Sequence, residues 1–534
     1  MTVIQADYVI AGAGSAGCVL ANKLSEDPRN QVILLEAGGK DRNPWVHIPV
    51  GFYRLATKPC AENWAYETAP DPGLNGRSIV WPRGRMLGGS SSLNGLLYVR
   101  GQQQDYDHWR QLGNTGWDWA SVRPYFESLE DCQSADESSL STGGPLRISE
   151  QRFKHPIIED WMNAAIDVGY PRNEDYNGAV QDGVAHFKLT TRDGWRESAA
   201  TAFLRPAKKR ENLKIITHAM VQKVNLDGRR CTGLTYKDRS GNLVEVQAGR
   251  ETVIAGGSIG SPQILLLSGI GNAEHLREVG VEVKHDLRGV GEGLQDHLHH
   301  KMVFKTTEPT LNQELNSVIR QAGSAFRFAI GRTGSLAMPA AMANGFFKTR
   351  PEAATPDIQF LVQPLSTIEN EPEDVQAFTM NFCQSRPESR GSIRLASANA
   401  EDYPIIQPNY LSTQTDCACV MEGFRIGRKI ASGQPLSSKI IEELRPGPSL
   451  KSGSDELLDW ARSNASTIFH PSGTCAMGTG DRAVVTPELK VHGLEGLRVA
   501  DCSIMPELVS GNTNAPTMMI ASKASDMILQ SQSA

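Results

Sequence analysis

The sequence predicts a mixed α/β fold in which a nucleotide-type βαβ unit opens the chain and a second domain of sheet and helix follows. Three observations carry this expectation. Residues 6–36 run strand, glycine turn, helix and strand in that order. Short apolar strands and tight glycine turns recur along the chain. Its 534 residues also exceed what one hydrophobic core usually supports, so at least two domains are expected.

In the opening unit, Val9-Ile10-Ala11 is an apolar strand, and Gly12, Gly14 and Gly17 punctuate the turn into an apolar helix. Gly12 permits the tight turn, Gly14 lets backbone approach a pyrophosphate, and Gly17 lets helix pack on strand, with the free N–H groups of the helix start facing the phosphates. Glu36 closes the second strand, where its carboxylate can accept hydrogen bonds from a ribose and disfavours a 2′-phosphate, which makes NADP the least suitable nucleotide. Ala13-Gly14-Ser15-Ala16-Gly17 also has the spacing of a hydrolase nucleophile elbow, but that elbow normally lies well inside a sheet and not on the first strand.

The glycine-dense stretch Gly84 to Gly95 runs directly into Leu96-Leu97-Tyr98-Val99, so it reads as backbone packed against a flat ligand and not as a linker. Leu213–Thr217, Val221–Val224 and Cys231–Tyr236 read as strands of a β-meander with an Asp-Gly turn. Glu251 to Gly257 is a buried strand entering a second glycine turn, with helix from Gln263 to Ser268. From about Lys301 to Asn464 strand and helix mix without a nucleotide signal, which marks a separate substrate-side region. Leu497–Asp501 returns to strand and turn, and a helix is expected from about Ala515 to Leu529.

The formal charge of −6, with both signs interspersed, argues against nucleic acid as the main partner. Nine scattered cysteines without a C-x-x-C argue against structural disulfides and zinc, and a reducing, cytoplasmic location is the expectation. Secretion is not expected from the segment ahead of the first strand, and the apolar runs fall short of a membrane span.

Ordered motifs then connect the chain to a family. They are Gly84 to Asn94 with Arg100-Gly101; Gly257-Ser258 through Ser261-Pro262 to Gly271; Gly289 to His297; Ser389-Arg390-Gly391; Pro408 to Leu411; Phe469-His470-Pro471-Ser472-Gly473-Thr474; and Asn512 to Pro516. With these the chain resembles the glucose–methanol–choline (GMC) oxidoreductases, flavoenzymes that include choline and alcohol dehydrogenases and aryl-alcohol oxidases. The resemblance implies a Rossmann-like FAD-binding domain of discontinuous segments (1–150, 193–298 and 467–534) and a substrate-binding domain (151–192 and 299–466) with a sheet flanked by helices. It implies that Gly12, Gly14, Gly17 and Glu36 bind the ADP half of FAD, that Val221 sits at the adenine, that Gly89, Ser90 and Asn94 lie along the flavin, and that Asp501 lies near the ribityl and pyrophosphate. Covalent members can carry a histidine immediately before the residue matching Asn94. Here that residue is Leu93, so FAD is expected to be non-covalent. Gly293 and Phe469 stand where asparagine and tyrosine are common.

The activity implied is oxidation of a primary alcohol, aliphatic or aryl, to the aldehyde, with re-oxidation by a quinone-like carrier or dioxygen. Association with further copies of the chain is compatible with this. His470 and Asn514 match the family's catalytic pair. A histidine can be neutral and basic near neutral pH, and an asparagine can donate to the developing alkoxide. A lyase or decarboxylase on the same fold is the alternative. No metal is expected, and His297, His299 and His300 are read as a structural turn. Aromatic residues from Trp45 to Tyr66, with Phe469, are candidates for an apolar pocket. No carboxylate for a quaternary ammonium is evident.

Overall fold

Val32-Ile33-Leu34-Leu35-Glu36 is buried along its whole length, and a strand buried on both faces belongs at the centre of a covered, largely parallel sheet. The computed structural model, which describes residues 2–134, 139–368 and 371–531, places it there. The first sheet comprises β1 (Thr2–Ala11), β2 (Val32–Glu36), β3 (Leu213–Thr217), β4 (Met220–Asp227), β5 (Arg230–Lys237) and β6 (Leu243–Ile254), in the order β3-β2-β1-β6-β5-β4. The pairs β3·β2, β2·β1 and β1·β6 are parallel, and β6·β5 and β5·β4 are antiparallel. The long strand β6 changes partner along its length: its first half pairs with β5, and Thr252 to Ile254 pair in parallel with Leu497–Val499.

The expected meander therefore needs one correction. It is β4-β5-β6, and β3 is instead a parallel neighbour of β2. The link after β3 does not make a hairpin because the N–H of His218 bonds to Gly38 O and that of Ala219 to Glu36 O, which ties the turn to the end of β2. Helix α1 (Ser15–Leu24) and helix α2 (Gly257–Leu267) each follow a glycine turn at the carboxyl end of a central strand.

The second sheet is wholly antiparallel. Its principal strands are β7 (Leu298–Thr306), β8 (Ala343–Phe347), β9 (Ile358–Gln363), β10 (Ala377–Gln384) and β11 (Ile440–Arg445), in the order β11-β7-β10-β9-β8, with Gly183–His186 beyond β8 and Ser466–Thr467 beside β7. Period-two alternation gives the sheet two unlike faces. Met302, Phe304, Phe360, Met380 and Phe382 share an apolar cluster with Phe424 of helix α3 (Gln414–Ala431), where the rings of Phe382 and Phe424 meet edge to face. The opposite face carries His299, Lys301, Gln363 and Asn381 and looks into the large cavity described below. This corrects the reading of the histidine cluster as a turn: His299 and His300 are strand residues, paired with Cys383 and Phe382, and they point to opposite faces. The expected C-terminal helix is α4 (Asn514–Gln530). Among the described residues no helix is long and apolar enough to cross a membrane.

Candidate active site

All the residues that the sequence assigns to the site, except Gly17, line one cavity of about 700 Å³ between the two sheets. Gly17 does the work its position predicts: a Cβ there would lie 1.8 Å from Gly12 O, so its absence lets α1 approach β1. Gly12 has φ +103°, and a Cβ there would lie 2.5 Å from Ala255 O. Gly14 differs, since its Cβ would meet nothing nearer than Gly89 Cα at 4.0 Å. The fold does not need a glycine there, whereas a ligand pressed against the backbone would. The first N–H groups of α1 have no side-chain cap, which leaves them available to an anion.

Glu36 lies at the end of β2, where its carboxylate accepts from the N–H groups of Ala13 (3.0 Å) and Gly38 (2.8 Å). Burial pushes its carboxyl up to about 7 against the pull of these donors. Val221 lines the same end of the wall. Asp501 fastens the second glycine turn by accepting from Gly257 N (2.8 Å) and Ser261 Oγ (2.5 Å). Gly89 and Ser90 belong to a single helical turn, Gly89–Ser92, that packs onto the first glycine turn through Gly88 N–H to Ala13 O at 2.8 Å. Asn94 is held by Arg196, a buried residue that sequence analysis did not single out: its guanidinium donates to Asn94 Oδ1 (2.7 Å), Val46 O (2.8 Å) and Ser91 O (3.3 Å). Leu93, 5% exposed, lines the cavity beside it. Of the expected aromatic lining, Phe52, Tyr53, Trp64, Tyr66 and Phe469 reach the cavity, and Trp45 packs elsewhere.

His470 follows Phe469, a non-glycine residue at φ +69°, a conformation that costs energy and persists only where surroundings enforce it. Here Phe469 N donates to Thr467 Oγ1 (2.7 Å), Arg83 donates to Phe469 O (2.6 Å), and the residue after it is held by Asp296. Its Oδ1 accepts from His470 N at 2.7 Å, and its Oδ2 accepts from Tyr410 OH and Thr467 Oγ1, each at 2.5 Å. Burial raises the Asp296 carboxyl to about 6.

A chain of contacts then fixes the proton on His470. His297 Nε2 lies 2.9 Å from Ser385 O, and a carbonyl can only accept, so this nitrogen carries the hydrogen. Burial lowers the His297 pKa to about 4, so the ring is neutral near pH 7 and its Nδ1 is a bare acceptor. His470 Nδ1 lies 2.9 Å from that acceptor and must donate. Burial, followed by repulsion from His297 and Arg83, holds the His470 pKa well below the usual histidine value, so its other nitrogen, Nε2, bears a lone pair. Asn512 Nδ2 sits 3.1 Å from that lone pair and donates to it.

The structure thus brings Asn512, and not Asn514, to the face of His470. Asn514 is the first residue of α4, and its Oδ1 accepts from Ser15 Oγ at 2.8 Å, beside the start of α1. Ser15 bonds to an amide and not to an imidazole, which gives the nucleophile-elbow alternative no base. Sequence analysis missed Asn512, although it lies in the same quoted motif, and gave His297 no role at the base.

The GMC oxidoreductase family models match residues 6–299 and 387–521. The chain is 40% identical over 530 residues to an alcohol dehydrogenase [acceptor] of Pseudomonas putida, covering 98% of this chain and 96% of the relative. It is 41% identical over 535 residues to the mitochondrial choline dehydrogenase of Homo sapiens, covering 98% and 89%. Among solved structures, pyridoxine 4-oxidase from Mesorbium loti superposes with a TM-score of 0.88 at 30% identity, covering 98% of each chain. A formate oxidase superposes with a TM-score of 0.92 at 26% identity, covering 100% of this chain and 99% of the other.

Proposed function

The chain belongs to the GMC oxidoreductase family, and from that premise we propose that it is an FAD-dependent oxidoreductase that converts a primary alcohol to the aldehyde, with His470 and Asn512 as its catalytic pair. The observation that carries the reading is the unprotonated Nε2 of His470, bonded to the Asn512 amide, on a cavity that also holds the uncapped start of α1, the open face of Gly14 and the carboxylate of Glu36.

These residues fit FAD. Glu36 would hold the ribose, Gly14 and the α1 N–H groups the pyrophosphate, and Gly89, Ser90 and Asn94 the flavin end. FAD, when bound, supplies an acceptor for the hydride lost by the alcohol carbon. The protein supplies the rest. His470 Nε2 accepts the hydroxyl proton, and the Nδ1–H···His297 bond stabilises the ring as it becomes cationic. Asn512 donates to the substrate oxygen as alkoxide character develops. Asp296 anchors the backbone that presents His470, and the apolar ring of Phe469 lies beside it in the wall. We also propose that FAD is held without a covalent bond, because the leucine at position 93 offers no nucleophile, and that a quinone-like carrier or dioxygen takes the electrons onward.

The test is anaerobic rapid mixing of the yellow holoenzyme with a panel of primary alcohols. Bleaching of the flavin with release of aldehyde is expected. Release of product without bleaching, as a lyase would give, overturns the proposal. Re-oxidation of the bleached enzyme by dioxygen and by a quinone identifies the acceptor. Acid precipitation should leave the flavin in the supernatant, and colour retained by the pellet would refute the non-covalent assignment.

A further inference from the structure

The wall opposite the glycine turns is the polar face of the second sheet, and its charge is one-sided. The only carboxylates lining the cavity among the described residues are Glu36, at the nucleotide end, and Asp501, whose oxygens are taken by Gly257, Ser261 and Ser503. The sheet face presents Lys301. No carboxylate lies within ion-pair distance of its ammonium among the described residues, and the side chain makes no hydrogen bond there. Glu373, the acid whose charge reaches it, is bound by the guanidinium of Arg445, which repels Lys301 in turn. Burial is the larger influence on this ammonium, and it lowers the pKa. Directly across the ladder, on the same face, stands Asn381, buried, with its Oδ1 unpartnered and only a long 3.5 Å contact from its amide nitrogen to Leu361 O. His299, two residues before Lys301, is neutral, since burial lowers its pKa to about 3.

A cation and an under-used amide side by side in a largely apolar cavity are costly unless a ligand completes them. A quaternary ammonium is the wrong complement, because it would meet a like charge and no acid. Taking the proposed alcohol oxidation as given, we infer that the substrate is a hydroxy acid whose carboxylate is held by Lys301 Nζ and the Asn381 amide. The strand sets the spacing. Ser466–Thr467 pairs antiparallel with Leu298 and His299, so the chain toward His470 runs away from Lys301. His297, which touches His470, and Lys301 are four residues apart, about 13 Å of extended strand. The hydroxyl and the carboxylate are therefore separated by a spacer of several carbons, as in an ω-hydroxyalkanoate. The hydroxyl proton goes to His470 Nε2 and the hydride to FAD. The product is the ω-oxo acid, and the reduced cofactor is restored by the electron acceptor already named.

The test compares ω-hydroxyalkanoates of six to ten carbons with n-alkanols of equal length and with choline, by anaerobic flavin reduction and steady-state kinetics of the holoenzyme. It also measures binding of the matching alkanoates, which lack the hydroxyl. The hydroxy acids should have the highest kcat/KM. Lys301→Met should lower their kcat/KM at least about tenfold, mainly through KM, the size expected for a lost charge-assisted hydrogen bond. It should weaken alkanoate binding to match and leave the n-alkanols within about twofold. Lys301→Arg should recover part of the loss. If n-alkanols equal or surpass the hydroxy acids, or if Lys301→Met leaves the ratio between the two series unchanged, the inference falls while alcohol oxidation stands. If no alcohol bleaches the flavin, the activity falls instead, and alkanoate binding that is unaffected by Lys301→Met overturns the carboxylate site independently.

Discussion

Replacing His297 with phenylalanine tests the proton assignment on which the proposed chemistry rests. The benzene ring approximates the buried imidazole in shape but offers no acceptor, so His470 Nδ1–H loses its partner at 2.9 Å and the neutral ring is free to carry its hydrogen on Nε2, the wrong nitrogen for a base. A buried neutral hydrogen bond contributes about 1 kcal/mol, and an orphaned buried donor costs up to about 3 kcal/mol. The variant should therefore reduce its flavin roughly fivefold to a hundredfold more slowly. The hydrogen bonds of the His297 ring go to Ser385 and His470 and not to Glu36, Gly14 or Asn94, so FAD occupancy should be unchanged. His297→Asn, whose side-chain carbonyl can accept from Nδ1, should recover much of the rate. The assay is single-turnover flavin reduction under anaerobic conditions, with circular dichroism and flavin absorbance to confirm the fold. If the phenylalanine variant folds, binds FAD and reduces it within about twofold of the parent, or if asparagine is no better than phenylalanine, the relay from Ser385 through His297 to His470 does not set the tautomer.

Other expectations follow from the same geometry. His470→Ala should retain FAD but reduce it at least about 100-fold more slowly, the lower end expected for loss of a positioned base. Asn512→Ala should slow flavin reduction by a smaller factor, whereas Asn514→Ala should act mainly on FAD retention; turnover per bound flavin separates the two, and equal catalytic defects would contradict the placement. Because burial holds the His470 pKa below the usual value of about 6.5, the base stays neutral, and flavin reduction should stay flat as pH falls through 6.5, with the rate lost only below that. A midpoint at or above 6.5 would refute this. Glu36 offers a second pH test, read by flavin release. If ribose hydroxyls bond to its carboxylate, FAD binding favours the ionised form, so affinity is full above about 7 and falls as pH drops through that value. Glu36→Gln should bind FAD more weakly above pH 7 and lose this dependence.

The parts of this molecule that were legible in its sequence are those fixed by neighbours along the chain. The βαβ unit is one, because the turn glycines, the buried strand and the closing acid lie within residues 6–36. The choice between Asn512 and Asn514 was not legible. Both lie in one short motif, and which faces His470 depends on where α4 begins: Asn514 is already its first residue and is turned toward Ser15, while Asn512 is still in the loop. The role of His297 was hidden for a different reason, since its two informative contacts, Ser385 and His470, lie 88 and 173 residues away. The strand character of His299 and His300 likewise depends on pairing with Cys383 and Phe382, a register that no local pattern displays. The motif resemblance located His470 but could not supply its protonation, which follows from which neighbouring atoms can only accept.

The forked strand β6 also has a bearing on the order in which the protein is made. Residues near the amino terminus emerge first from the ribosome, yet β1 must wait for β6, with Thr2 set against Val244, and the far half of β6 must wait for Leu497–Val499. Contacts of such long sequence separation form late and slowly. The nascent chain therefore displays its glycine turn and Glu36 long before it has made either His470 or Asn512. A chain that stops short of His470 can carry the opening nucleotide turn but lacks the proposed proton acceptor.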